Sequence, residues 1–238
     1  MLHKYRCDFD ESYYAYYSDL ETEGEEGSFA PLYIGSNMSG NNRQGKLFII
    51  SGPSGAGKTT LANELLTRLG SHYNMHRVIT YTTKFPRKGE LNGVDYHFIS
   101  EVEFEAKLAV GFFIEYSKVY GYYYGSPRAV INELALGKSF ILIVDQLGAY
   151  QIKERYAKAI LIWIVPPSMD ELAARLQNRA TENQADMQKR LMIAQNEMKI
   201  ENQKQLFDYV VQNHVLAQAT LDLINIFKAE MLSGSINC

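Results

Sequence analysis

A glycine-rich segment that follows an apolar run carries the clearest chemistry in the sequence. Residues 46–60 read Lys-Leu-Phe-Ile-Ile-Ser-Gly-Pro-Ser-Gly-Ala-Gly-Lys-Thr-Thr. The spacing is that of a phosphate-binding P-loop, in the order of strand, loop and helix that the motif requires. Glycines let successive backbone N–H groups approach phosphate oxygens, and the following helix adds the positive end of its dipole. The segment predicts a nucleotide phosphate site; a glycine-rich surface turn is the simpler alternative.

Individual residue types in this loop have definite expected roles. Lys58 supplies a cation for β and γ phosphates, and the Thr59 hydroxyl is placed to ligate Mg²⁺. The residues predicted to line the phosphate site are Gly52, Pro53, Ser54, Gly55, Ala56, Gly57, Lys58, Thr59 and Thr60.

Acidic side chains lie near the ends of two apolar runs. Glu115 lies near the end of run 112–116, and Asp145 closes run 139–145, which is typical of a buried parallel strand. Open α/β sheets place their ligands at the carboxyl ends of the strands, so Asp145 is predicted to reach a ligand site. An exposed carboxylate at a strand end is the alternative for Asp145.

Basic side chains form two groups, one in a loop and one on two predicted helices. The members are Lys84, Arg87 and Lys88 in the loop, and Arg175, Arg179 and Arg190 on the helices. The chain as a whole has a net charge of −3, so composition gives no general case for nucleic-acid binding. Any positive site must therefore be local.

The spacing of apolar residues predicts the elements that must position these side chains. Strands are expected at 47–50, 112–116, 139–145, 159–165 and 209–211, and residues 76–84 are expected to begin as a strand and to continue into a loop. Helices are expected from Lys58 to Gly70, after Ser100, across 130–136, after Ser168, around Arg190 and near the C-terminus, where Leu221, Ile224 and Phe227 are three residues apart. Residues 120–126 are predicted to be an aromatic turn. Strands that alternate with helices predict a three-layer α/β fold with a mainly parallel sheet.

Length, charge distribution and cysteine content narrow the class of protein further. Of the 238 residues, 1–45 carry three basic against eight acidic side chains. This Tyr-rich segment lacks a core-forming period and is predicted to be a mobile extension, unless translation starts at Met38. Cys7 and Cys238 suggest neither a disulfide framework nor a metal site, and no apolar run is long enough to span a bilayer. We expect a cytoplasmic protein that binds neither nucleic acid nor membrane.

The order of the motifs resembles the guanylate kinase family over residues 46–227. The segments that carry the resemblance are Ser-Gly-Pro-Ser-Gly-Ala-Gly-Lys at 51–58, Thr-Thr-Lys-Phe-Pro-Arg-Lys-Gly-Glu at 82–90, Asn-Gly-Val-Asp-Tyr at 92–96, Phe-Ile-Glu at 113–115, Tyr-Tyr-Gly-Ser at 123–126, Pro-Pro-Ser at 166–168, and Arg-Leu at 175 and again at 190. The resemblance implies transfer of the γ-phosphoryl group of ATP to GMP in purine nucleotide metabolism. It also implies a P-loop NTPase fold at 46–232 with a small mixed α/β GMP-binding region at about 80–128, a helical lid at about 175–200 and a tail at 233–238.

The resemblance further implies roles for individual residues. Asn213 would join the P-loop residues as part of the ATP site. The GMP site would comprise Thr80, Lys84, Arg87, Tyr96, Glu115, Tyr124, Ser126 and Asp145. The catalytic set would be Lys58, Arg175, Arg179 and Arg190, with Mg²⁺ held by Thr59 and, through water, by Asp145. Guanine offers N1–H and an amine side by side, and a carboxylate such as Glu115 can accept both. ATP and GMP are the expected partners, and a homodimer is compatible with the sequence.

Several positions depart from the family pattern. Lys84 stands where arginine is usual, and because lysine cannot form a two-pronged contact with phosphate, weaker GMP binding is predicted. Ile143 and Leu147 stand where an acid and a glutamine are usual, and Ala180 replaces a glycine in the lid, which bears on rate and lid motion. Two other functions stay open: a non-catalytic guanylate-kinase-like binding module, and a P-loop kinase for another small phosphorylated acceptor.

Overall fold

The central strand of the molecule forms from the apolar run that precedes the glycine-rich loop. The computed structural model describes residues 44–119, 121–177 and 184–233. Its strands are β1 (Leu47–Ser51), β2 (Met75–Arg77), β3 (Tyr81–Thr82), β4 (His97–Phe98), β5 (Phe113–Val119), β6 (Tyr122–Pro127), β7 (Ser139–Ile143), β8 (Ile160–Val165) and β9 (Tyr209–Gln212). Its helices are α1 (Lys58–Leu69), α2 (Glu101–Ala109), α3 (Val130–Ala135), α4 (Gln146–Arg155), α5 (Met169–Gln177), α6 (Gln184–Lys204) and α7 (Leu216–Ser233).

β1 lies in the middle of a five-stranded parallel sheet with the strand order β2-β7-β1-β8-β9. Every residue of β1 is buried, as expected for a strand that is covered on both faces. Leu47 and Ile49 pack on the side of α3 and α4, whereas Phe48 and Ile50 pack on the side of α1 and α7. A mainly parallel sheet between two helical layers confirms the predicted three-layer α/β fold.

A second, four-stranded sheet lies between β2 and α3 in the chain. Its strand order is β4-β3-β6-β5, with β3 parallel to β4 and the other pairs antiparallel. Gly121, between β5 and β6, has a φ of +80°, a conformation that a side chain disfavours. The prediction of a turn at 120–126 is wrong from residue 122 onwards, where Tyr122–Pro127 forms a strand. Aromatic side chains favour such a pleated surface.

Residues 76–84, predicted to begin as a strand and to continue into a loop, contain a strand at each side of a short connection. The run divides between the two sheets: β2 pairs with β7, and β3 pairs with β4 and β6. The N–H of Val78 donates to the carbonyl of Ile141 at 2.9 Å, and the carbonyl of Thr80 accepts from the N–H of His97 at 2.9 Å. The chain thus crosses from one sheet to the other between these two residues.

The predicted start of a helix after Ser100 is confirmed, whereas α4 and α7 differ from the sequence prediction. The capping box at Ser100 is present, with Glu103 as its partner. The helix α4 is absent from the sequence prediction, although Asp145 caps it. In α7, Leu221 is 47% exposed while Leu223 is fully buried, so the predicted apolar face is displaced at that position.

The last turn of α5 and most of α6 lie in the region at about 175–200 that is predicted to be a lid. Leu172 and Leu176 of α5 form a small apolar cluster with Ala194 of α6. Residues 178–183, with Arg179 and Ala180, lie outside the described residues, as do 1–43 and 234–238, with Cys7, Met38 and Cys238. The predicted domain boundaries stay predictions. No helix in the described ranges is long and apolar enough to cross a membrane.

Candidate active site

The loop between β1 and α1 has glycine at positions where a side chain has no room. Gly52 has a φ of +145°, and a Cβ there would lie 2.2 Å from the carbonyl oxygen of Ile164 on β8. Gly57 has a φ of +94°, and its Cβ would lie 2.3 Å from Nδ2 of Asn213. That same Nδ2 donates to the carbonyl of Ala56 at 2.8 Å. The loop is therefore fixed against β8 and the end of β9.

Gly52→Ala is expected to lower the free energy of unfolding by about 1–3 kcal/mol, because the new methyl group meets backbone atoms rather than a flexible side chain. Urea unfolding measures this loss. Gly111→Ala is the matched control, since Gly111 has a φ of +64° but no atom of the described residues lies within 4 Å of its Cβ position. If both variants lost the same free energy of unfolding, the backbone angle φ alone would account for the loss. The contact of the new methyl group with Ile164 would then contribute nothing.

Two predicted catalytic cations lie on different sides of the loop. The Nζ of Lys58 donates to the carbonyls of Gly52 at 2.5 Å and Pro53 at 3.0 Å, and Lys58 also lines the cavity described next. Arg175 on α5 pairs with Glu171 and donates to the carbonyl of Asn213 at 3.0 Å. Arg175 therefore lies on the Asn213 side and is not part of the cavity lining.

A cavity of about 250 Å³ separates the loop from the second sheet. The predicted site residues that line it are Gly52, Ser54, Lys58, Thr59, Thr80, Arg87, Tyr96, Glu115, Tyr124, Asp145 and Arg190. The other described members of the predicted set lie outside this lining: Pro53, Gly55, Ala56, Gly57, Thr60, Lys84, Ser126, Arg175 and Asn213. The fold thus brings the phosphate loop and most of the predicted GMP-site residues into one cavity.

Glu115 on β5 is a buried carboxyl with 2% of its surface exposed. Its Oε1 has no hydrogen-bond partner within the described part of the chain. Burial, with the nearby charge of Asp145, raises the pKa of Glu115 to about 8, although the Ser126 hydroxyl and the Arg155 guanidinium act in the opposite direction. Ser126 lies opposite Glu115 in the pairing of β5 with β6. A buried acceptor of this kind suits a ligand that supplies N–H donors.

Asp145 is held by two hydrogen bonds at the start of α4. Its Oδ1 accepts from the N–H of Gly148 at 2.7 Å, and its Oδ2 accepts from the hydroxyl of Ser117 at 2.6 Å. Ser117 lines the cavity but is absent from the predicted set. Strand alternation is the signal that could have found it, because residues 115 and 117 share a face of β5.

Tyr96 and Tyr124 line the cavity together with Arg87. Burial raises the pKa of Tyr124 to about 12 and that of Tyr96 above its ordinary value. Both phenols therefore stay protonated near neutral pH and can donate hydrogen bonds to an anion. Lys84 lies against Tyr96, with Nζ 4.6 Å from the ring centre and 2.6 Å from each carboxylate oxygen of Glu90.

The helix α6 supplies a second buried carboxyl, Glu197, which is also absent from the predicted set. It is 6% exposed and lines the cavity with Arg190 and Ile193. Burial raises the pKa of Glu197 to about 8; the charge of Lys58 acts to lower it and that of Asp145 to raise it. Positions 190, 193 and 197 share one helical face, so this spacing is a signal that could have identified Glu197.

The fold and the site together define a class of protein. The central strand of a parallel sheet ends in a P-loop, and an arginine, two protonated tyrosines and a buried carboxyl line the same cavity as that loop. This is the arrangement of a P-loop phosphotransferase in which the phosphate donor and the acceptor share one cavity.

Known proteins identify the family within that class. The family model for guanylate kinase matches residues 44–230. The guanylate kinase of Neisseria meningitidis serogroup A / serotype 4A is 44% identical over 194 residues, which cover 81% of this chain and 92% of that protein. That of Protochlamydia amoebophila is 43% identical over 194 residues, covering 81% and 95%. A crystal structure of guanylate kinase from Anaplasma phagocytophilum matches with a TM-score of 0.65 at 30% identity, covering 79% of this chain and 87% of that one. The chain belongs to the guanylate kinase family, which confirms the predicted family and phosphotransferase class.

Proposed function

We propose that this chain transfers the γ-phosphoryl group of ATP to GMP, giving ADP and GDP. The observation that carries the proposal is one cavity lined both by Lys58 of the P-loop and by the buried carboxyl of Glu115. Two charged reactants must approach in line for phosphoryl transfer, so a shared cavity is what the reaction requires. Membership of the guanylate kinase family supports the same pair of substrates.

Glu115 is the residue proposed to select guanine. The N1–H and the exocyclic amine of guanine are adjacent donors, and an ionised carboxylate accepts both, whereas adenine has no matching donors. Thr80 adds a hydroxyl to the same cavity, and the Ser126 hydroxyl lies beside Glu115. Asp145, oriented by Ser117, completes the proposed acceptor site.

Arg87, Tyr96 and Tyr124 are proposed to bind the phosphate of GMP through charge-assisted hydrogen bonds. Arg190 lies close enough to Tyr124 for its charge to act on the phenol. Because Arg190 and Lys58 line the same cavity, the two cations can neutralise the group in transfer from two elements of the fold.

The P-loop is proposed to hold the ATP phosphates through its backbone N–H groups, with Asn213 near the adenine. Mg²⁺ fits the residues present, because the exposed Thr59 hydroxyl lines the cavity and magnesium is commonly completed by phosphate oxygens and water. Asp145 would hold a water on the ion, since both of its carboxylate oxygens already accept hydrogen bonds from the protein. When bound, Mg²⁺ offsets charge on the β and γ phosphates.

Catalysis then depends on positioning and on neutralising charge. Lys58 is proposed to exchange its two loop carbonyls for the β and γ phosphates. Arg175 and Arg179 are proposed to act from the lid, Arg175 after release from Glu171. Closure of the lid over both nucleotides would keep water from acting as the acceptor.

Release of ADP by the purified protein in the presence of ATP and Mg²⁺ tests the proposal. GMP is compared with AMP, UMP, CMP and no acceptor, and rapid release confined to GMP is expected. Release with another acceptor alone would favour a kinase for a different substrate. A folded protein that binds no ATP would favour the non-catalytic binding module.

Lys84→Arg is expected to lower the KM for GMP about threefold to tenfold. The ammonium of Lys84 already donates to both oxygens of Glu90. Arginine has five donors, so it can hold Glu90 and reach the GMP phosphate together. Steady-state kinetics measure the change, with the KM for ATP as the internal reference. An unchanged KM for GMP would contradict this prediction.

The cellular compartment and the oligomeric state of the protein stay predictions. The cytoplasm is the proposed location, without nucleic-acid or membrane partners. A homodimer is tested by sedimentation of the purified chain.

A further inference from the structure

One carboxylate ties together the loop that carries the proposed phosphate ligands. Glu90 accepts from the Nζ of Lys84 at 2.6 Å on each oxygen, and its Oε2 also accepts from the N–H of Arg87 at 2.7 Å. Its own N–H donates to the carbonyl of Arg87 at 3.0 Å. The side chain of Glu90 thus closes the turn from residue 87 to residue 90 and joins it to Lys84.

Lys84, which pairs with Glu90, is buried against two aromatic rings. Its side chain is 9% exposed and that of Glu90 is 20% exposed. Nζ lies 4.6 Å from the ring centre of Tyr96 and 5.5 Å from that of Phe98. A buried ammonium without its carboxylate is costly, so Glu90 is the partner that keeps Lys84 in place against Tyr96.

Glu90 does not line the cavity, but Arg87 and Tyr96 do. Glu90 contacts Arg87 directly and acts on Tyr96 through Lys84. Arg87 is held by its backbone N–H, and Tyr96 by the ammonium over its ring. We propose that Glu90 is a positioning residue that sets Arg87 and Tyr96 for the phosphate of the acceptor. This inference rests on the proposed function and concerns the phosphate half of the acceptor site alone.

The opposite role for Glu90 predicts an opposite result. If the carboxylate merely kept Lys84 away from the acceptor phosphate, its neutralisation would free a cation and tighten GMP binding. If it positions the loop, neutralisation weakens GMP binding. Burial acts to raise the pKa of Glu90, but the contacts with Lys84 and Arg87 hold that pKa below its ordinary value, so the carboxylate is charged near neutral pH.

Glu90→Gln is the test, because it keeps the size of the side chain and removes its charge. We expect the KM for GMP to rise about tenfold, with kcat and the KM for ATP within about twofold of the unaltered protein. Glu133→Gln is the matched control, since Glu133 also pairs with a lysine, Lys138, at 2.5 Å but on an exposed part of α3. That control is expected to leave all three constants unchanged.

Calorimetric titration with guanosine separates positioning from general damage. Guanosine lacks the phosphate, so its dissociation constant is expected to be the same in Glu90→Gln and in the unaltered protein, while that of GMP rises about tenfold. Tighter GMP binding, unchanged GMP binding, or an equal loss for guanosine would each overturn the role of Glu90.

A second variant keeps the test valid if Glu90→Gln does not fold. Lys84→Met with Glu90→Gln removes both charges and leaves no buried ammonium unpaired. The same selective loss for GMP over guanosine is expected, and its absence overturns the proposal. Failure of the proposed function is distinct, because the unaltered protein would then release no ADP with GMP.

Discussion

Lys58→Met is expected to lower kcat for GMP-dependent ADP release by a factor of about 10²–10³. Methionine keeps the length and the apolar stem of lysine but places no charge beside the transferring phosphoryl group. In the structure, Nζ rests on the carbonyls of Gly52 and Pro53, within the loop that is proposed to receive the phosphates. The cation is therefore already at the correct end of the cavity. Steady-state kinetics with saturating ATP and GMP measure the loss.

Lys153→Met is the matched control for this variant. The Nζ of Lys153 also donates to a backbone carbonyl, that of Ala159 at 2.7 Å, and pairs with Asp208 at 3.1 Å, but Lys153 is not part of the cavity lining. We expect Lys153→Met to keep kcat within about twofold, because it removes lysine contacts that lie outside the cavity lining. If the two variants lost activity equally, the loss would reflect lysine removal in general, and the role proposed for Lys58 would be wrong.

Features of the site that depend on residues close together in the chain could be predicted from the sequence alone. The P-loop depends on a strand, a turn and a helix that follow one another, so its spacing contains nearly all the required information. The capping box at Ser100 is local for the same reason. The buried runs that became β7 and β8 are continuous and apolar, which identifies them as central parallel strands.

Features that depend on tertiary contacts could not be predicted in this way. Spacing within β5 and α6 places Ser117 on the face of Glu115 and Glu197 on the face of Arg190, but only the tertiary fold brings these two faces to one cavity. The residues of α4 buried by packing include Gln146, Gly148 and Ala149, which give little apolar signal, so the sequence pattern does not indicate this helix. Residues 76–84 include β-branched side chains on both sides of the point where the chain passes from one sheet to the other. The two parts are distinguished only by the strands with which they pair.

Glu115→Gln is expected to lower kcat/KM for GMP about 10- to 100-fold. The amide keeps one acceptor but turns an N–H donor towards guanine, which itself offers donors. The ratio of activity with GMP to activity with AMP should therefore fall, and parallel kinetics with both acceptors measure it. Glu201→Gln is the matched control, since Glu201 is also buried but accepts from the N–H groups of Leu206 and Phe207. A preserved ratio in Glu115→Gln would exclude Glu115 as the selecting residue.

The pH dependence of guanine binding tests the same carboxyl independently. With its pKa raised by burial to about 8, Glu115 is mostly neutral at pH 7 in the empty site. Two guanine donors favour the ionised form, so binding releases a proton below pH 8. Guanosine affinity is expected to rise by up to about tenfold per pH unit towards pH 8 and then to level off. Calorimetry in buffers of different ionisation enthalpy measures the released proton, which should be absent in Glu115→Gln.

The raised pKa of Glu115 also predicts that the glutamine variant is more stable than the natural protein. The folded-state pKa of about 8 exceeds the ordinary value of 4.5, so the protonated carboxyl favours folding at low pH, and this contribution is lost as pH rises through about 8. Glutamine cannot ionise, so the variant should unfold at a higher temperature at pH 9 and at nearly the same temperature at pH 5. Thermal unfolding at both pH values measures the difference. A variant that is less stable at pH 9 would show that the carboxylate is stabilised in the fold, whereas the expected gain means that guanine recognition is maintained at a cost in stability.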